Sequence, residues 1–164
     1  MSTSEQPPAQ RVIPIVALVL SVVAVALAAW AVLRPTPSGP AEPTYTAAQQ
    51  SDAKTAICAA TDLVRRGVSL NTNLQIPGGE ADVTGSLAVA ANARVSLSDG
   101  GQYLISRLDP ATPADLAASV KEFANTLLDI GAAATAGSPN TDPEQAARLR
   151  TADTQNNAVI ERCK

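Results

Sequence analysis

TPADLAASVKEFANTLLDIGAAA, residues 112–134, decides the fold class. Leu116, Val120, Phe123, Leu127, Ile130 and Ala134 recur every three or four positions, so they share one stripe of an α-helix. Lys121, Glu122, Asn125 and Asp129 take the opposite side. The segment carries its own boundaries. Thr112 offers an N-cap hydroxyl, Pro113 suits the first helical position, Asp115 sits in the first turn, and Gly137 and Pro139 follow the end. A helix with one apolar stripe needs other elements to cover it, and the flanking chain supplies more of the same kind.

Downstream, Thr141-Asp142-Pro143-Glu144 has the form of a capping box with proline just inside the start. The helix it opens places Leu149, Ala152, Asn156, Val159, Ile160 and Cys163 on an inner face. Asn156 within that stripe is expected to find a backbone or water partner. Upstream, residues 46–74 read as a helix with Ala53, Ile57, Ala60, Leu63, Val64, Gly67, Val68 and Leu70 on a broad face; Asp62, Arg65 and Ser69 lie opposite. Between them PGGE at 77–80 is a turn. Helical stretches follow over 82–97 and 101–108, with a break or kink expected at Ser98-Asp99-Gly100-Gly101. Leu104 and Leu108 read as core; Tyr103 reads as core or as part of an exposed recognition surface. The expectation is an all-α chain whose residues 46–164 form an antiparallel bundle of about four helices. Such a bundle brings the start of its first helix near the end of its last, the placement that a Cys58–Cys163 disulfide requires. Cys58 projects to the polar side of its helix, so the end of the last helix must wrap the flank of the first. In an exported domain the two cysteines read as one bridge, and in a cytosolic one as buried or redox-active thiols.

Residues 12–33, VIPIVALVLSVVAVALAAWAVL, run without a charge between Arg11 and Arg34 and reach roughly 33 Å as a helix, enough to span a bilayer. Pro14 falls in the first turn and Trp30 suits the headgroup boundary. The alternative is a cleaved signal peptide, since Ala29-Trp30-Ala31 has the small-x-small form, although the apolar run exceeds a typical h-region. The organisation expected is therefore a cytoplasmic tail at 1–11, a transmembrane helix at 12–33, a proline-rich linker at 34–45 and an extracytoplasmic helical domain at 46–164, at the cell membrane.

Composition narrows the function. With 15 acidic against 12 basic side chains and a net charge of −3, the chain lacks the footprint of a nucleic-acid binder. No histidine is present, which excludes a Ser-His-Asp or Cys-His nucleophile system and any imidazole metal ligand. Asp99, Asp109, Asp115 and Asp129 stand beside turn and cap residues rather than in pairs. The cysteines lack metal or redox spacing, and no phosphate-binding loop occurs. No catalytic residue, cofactor or metal is expected. Arg65-Arg66 is a short positive spot and, with Tyr103, the candidate partner contact; a solvated helix surface is the plainer reading of the arginines.

The stretches KTAICAATDLVRR (54–66), GGQYLISRLDPATP (100–113) and DPEQAARLR (142–150), behind the apolar segment, resemble the small alanine- and proline-rich single-pass envelope proteins of mycobacteria and related actinobacteria. Nine arginines against three lysines suit a high-GC genome. The resemblance implies an envelope location and carries no site residue with it. The expected role is a non-enzymatic, membrane-anchored accessory or scaffold subunit that binds an envelope protein through its helical domain. The alternative is a carrier of a lipid or other apolar ligand, against which alanine-lined helix faces weigh because roomy pockets use larger apolar walls.

Overall fold

Helix caps account for most of the element boundaries. The computed structural model describes residues 9–33, 44–76, 78, 79 and 81–164, with the side chains of the first helix described over 18–31. Five helices follow in order: α1 (Ala9–Leu33), α2 (Ala47–Thr72), α3 (Val83–Arg107), α4 (Ala114–Thr135) and α5 (Pro143–Cys163). Among the described residues there is no strand. The chain divides into two units, Met1–Pro43 and Thr44–Lys164.

In the first unit every described side chain of α1 is exposed, and these include Leu18, Leu20, Val25, Leu27 and Trp30. Among the described residues no helix is long and apolar enough to cross a membrane. The side chains described for the expected span at 12–33 cover 18–31, shorter than the roughly 20 residues a crossing needs. The rest of that stretch's side chains, residues 1–8 of the expected tail and 34–43 of the expected linker lie outside the described residues.

The second unit is all-helical. Thr46 caps α2 through a reciprocal capping box with Gln49. Asp82 caps α3 by accepting from the Gly85 N–H. The two later starts differ from the expected ones. Asp142, not Thr141, caps α5, its carboxylate accepting from the Glu144 and Gln145 N–H groups. At α4 the N-cap is Pro113 and no side chain caps the helix, because the Thr112 hydroxyl is buried without a hydrogen-bond partner.

The core is one cluster in which Ile57 of α2, Leu104 of α3, Leu116 and Val120 of α4 and Val159 of α5 are fully or almost fully buried. Two expectations for it are corrected. Leu63 and Leu70 are exposed, not part of the core: the buried positions of α2 are Ala53, Ile57, Ala60, Thr61 and Val64, so the stripe is narrower than the run of apolar residues. The polar Thr61 takes part because its hydroxyl donates to the Ile57 carbonyl, 2.9 Å away.

The break expected at Ser98–Gly101 does not occur either; α3 runs through it without interruption. Gly100 and Gly101 are both buried. A Cβ on Gly100 would stand 2.8 Å from Val64 Cγ1 of α2, and one on Gly101 would stand 2.7 Å from both the Ala124 carbonyl oxygen and Leu128 Cγ of α4. The pair serves approach rather than bending: α3 is flanked on both sides at one level, and only hydrogen fits there. Glycine costs a helix interior about 1 kcal/mol each relative to alanine, which tight packing on two sides can offset.

Cys58 and Cys163 form the disulfide, with Cα atoms 5.8 Å apart and 105 residues between them in sequence. Cys58 is half-buried against the core rather than on a wholly polar side. In the chain-entropy description a loop of that length contributes about 4–5 kcal/mol. At the same end of the bundle Arg162 of α5 approaches Asp115 of α4 at 3.7 Å, an exposed pair of small energetic weight.

Two alanine substitutions test the packing. Gly101→Ala should lower unfolding stability by roughly 1–3 kcal/mol, since a main-chain oxygen cannot move aside. Gly67→Ala, whose Cβ meets nothing within 4 Å, should raise it by about 0.5–1 kcal/mol. Denaturant melts of the two variants beside the wild type read both signs.

Candidate functional site

Polarity along α2 determines where the bundle closes and where it stays open. Its N-terminal half offers Ala53, Ile57 and Ala60 to the core, and Val159 of α5 is fully buried in the same cluster. Beyond Val64, α2 carries Arg65, Arg66, Ser69, Thr72 and Asn73, which cannot be buried against a neighbour without partners. Helix α2 packs extensively on α3, and α4 on both α3 and α5, whereas α2 and α5 touch little. They are joined at the disulfide level and diverge from it.

The divergence leaves a groove of about 1130 Å³ between the C-terminal half of α2 and the N-terminal half of α5. Leu97, Phe123, Leu127 and Ile130, each 2–6% exposed, lie beneath it as part of the packed core, and Val68 and Leu149 stand half-exposed on its walls. Its volume is somewhat above the roughly 300–1,000 Å³ usual for small-molecule sites. The alanine-rich faces therefore do leave a roomy site, contrary to expectation. Small residues such as Ala90, Ala93 and Ala134 line the groove without filling it.

One end of the groove is polar. Asn73, Ser138 and Asn140, beyond the ends of α2 and α4, line the groove, as does Arg94 of α3. Arg94 is half-buried and makes no ion pair or hydrogen bond among the described residues. Arg65 and Arg66 share one carboxylate, Asp62, at 3.0 and 2.9 Å. Asp153 is the acidic residue lining the groove. Asn156 also lines the groove, its Oδ1 buried and accepting no hydrogen bond from the described residues. Gln145 is the polar residue that reading by periodicity missed. It is fully buried on α5, its Nε2 donates to the Ile130 carbonyl at 3.1 Å, and its Oε1 accepts from Arg148 at 3.3 Å. Its position in the first turn after Asp142, where polar residues commonly serve caps, concealed its role in tying α5 to α4.

The three candidate contact residues do not form one patch. Arg65 and Arg66 border the large groove, while Arg66 and Tyr103 border a shallower depression of about 790 Å³ that also includes Asp52 and Asp109. Tyr103 packs half-buried against the core, with the Arg107 guanidinium 4.9 Å from its ring centre. Among the described residues no group of three or more potential metal ligands comes together.

Fold and site together define a disulfide-clasped, four-helix domain with one side open between α2 and α5. Compared with known proteins, the chain matches no family model, no curated protein and no solved structure.

Two isosteric changes should have opposite signs. Asn156→Leu removes a buried unpaired acceptor and should raise stability by about 1 kcal/mol, whereas Gln145→Leu abandons two hydrogen bonds and should lower it by roughly 1–3 kcal/mol. Calorimetric melting temperatures of the two variants check this.

Proposed function

We propose that this chain is a non-enzymatic accessory module of the cell envelope, held to the membrane by residues 12–33, which shelters an apolar or amphipathic ligand between α2 and α5. The groove between α2 and α5, with Val68 and Leu149 half-exposed on its walls, carries the reading. Burying an acyl chain there stabilises by roughly 25 cal/mol per Å² of apolar surface removed from water, without any change in the clasped end of the bundle. The absence of histidine and the dispersion of the carboxylates support binding over catalysis. The anchor is supported by the apolar side chains that α1 exposes on every side between Leu18 and Trp30, a pattern that water does not favour.

A scaffold role is favoured by a different observation. Leu70, Leu74, Val83 and Leu87, at the end of α2 and the beginning of α3, are all exposed, Val83 to 70%. An apolar corner of this kind suits the face of another helical envelope protein.

The full chain, purified in mild detergent and examined by native mass spectrometry, should retain lipid. Ala93→Trp, which fills the groove from its half-exposed wall, should lose that lipid while keeping its helical circular dichroism. A wild-type chain recovered free of lipid, with a protein partner bound instead, would favour the scaffold.

Placement outside the membrane has its own test. In intact cells a membrane-impermeant maleimide should label Cys58 and Cys163 only after treatment with an impermeant reductant. Labelling that requires cell lysis would place the domain in the cytosol.

A further inference from the structure

We propose that the Cys58–Cys163 bond is a redox-sensitive latch on the C-terminal half of α5: a dithiol that reduces it frees residues 153–163 from the bundle and leaves α2, α3 and α4 packed together. This goes beyond the carrier reading and does not depend on it.

The two halves of α5 are held by different means. In the first, Gln145 is fully buried and donates to the Ile130 carbonyl, Ala152 is buried, and Leu149 packs against the core. The second half has little of this. From Asp153 to Cys163 the sequence is DTQNNAVIERC, and Val159 is its one buried side chain. Gln155 Oε1 and Asn156 Oδ1 are buried there and accept no hydrogen bond from the described residues. An acceptor of this kind loses its water on docking without a replacement, so the two of them offset most of what burying one valine contributes. Arg162 approaches Asp115 at 3.7 Å, but both are exposed and the pair adds little. Helix α2 touches α5 little, so the strong link from the end of α5 to its neighbours is the covalent one.

Reduction removes that link. The dithiol gives two electrons and two protons to the bond and closes to a disulfide of its own, while Cys58 and Cys163 become thiols. Both cysteines are half-buried rather than enclosed, which leaves the bond within reach of such a reagent. Once undocked, a polar segment of about eleven residues has little helical stability of its own. The other helices have stronger ties. Gly100 brings α3 against Val64 of α2, and Gly101 brings it against Ala124 and Leu128 of α4. The end of α5 lies beside Cys58 and Asp115, whose sequence neighbours Ile57 and Leu116 are buried, so its release opens that end of the core to water.

Hydrogen–deuterium exchange read by mass spectrometry tests the latch on the full chain in mild detergent, oxidised and after treatment with dithiothreitol. Reduction should speed exchange of the amides of residues 153–163 about tenfold or more and that of α3 and α4 by less than about twofold, and reoxidation should restore slow exchange. The Gln155→Leu, Asn156→Leu double variant, reduced in the same way, should keep most of its protection in α5, because the unpaired acceptors are gone. Unchanged exchange at 153–163 in the reduced wild type means that burial alone holds α5, and overturns the proposal. A comparable loss of protection in α2, α3 and α4 also overturns it, since the bond is then a staple of the whole domain.

Discussion

The Cys58–Cys163 bond holds α2 to α5 at one level, and the polarity of the two helices determines everything beyond it. A four-helix arrangement usually closes because each pair of neighbours has apolar surface to share. Here the fully buried positions of α2 end at Val64, and only Val68 packs partly against the core beyond it. Past that point it presents Arg65, Arg66, Ser69 and Asn73, and bringing these onto α5 would desolvate guanidinium groups for little return. Covalent closure at one end and unfavourable burial at the other produce a wedge, and the groove is the space inside it.

The remaining contacts make the wedge rigid. Gly100 lies against Val64 of α2 and Gly101 against Ala124 and Leu128 of α4, so α3 acts as the spine on which both neighbours are set. Gln145 then ties the beginning of α5 to the Ile130 carbonyl at the far end of α4. With α5 held at Gln145 and again at Cys163, it cannot close onto the C-terminal half of α2 without breaking one of those attachments. An open groove built in this way is preformed, which reduces the ordering cost of taking a ligand.

Much of this architecture is legible in the residues. The stripe from Leu116 to Ile130, the helix start signalled at 141–144 and the two cysteines suffice for an all-helical clasped bundle. The errors share one cause. Gly100-Gly101 reads as a break because glycine lowers helix propensity locally, while its value here lies in contacts with residues 23 to 36 positions away, which no local pattern contains. Leu63 and Leu70 read as core because they are leucines, yet burial depends on which neighbours reach that flank. The groove was the least legible feature. It is formed by an absence of packing between α2 and α5, and alanine-rich faces are compatible with either close contact or an unfilled gap.

Alanine also bears on the ligand proposed for the groove. The core has Phe123 as its one fully enclosed aromatic, and many of its other positions are alanine or valine, so each helix pair gains little apolar burial per contact. Whatever binds the folded form alone adds RT ln(1 + [L]/Kd) to its stability. The proposed ligand, held between Val68 and Leu149, would bridge the two helices at the level where the chain leaves them apart. The disulfide would then secure one end of the wedge by covalent means and the ligand the other by burial, so that loading and stability become coupled properties of one domain.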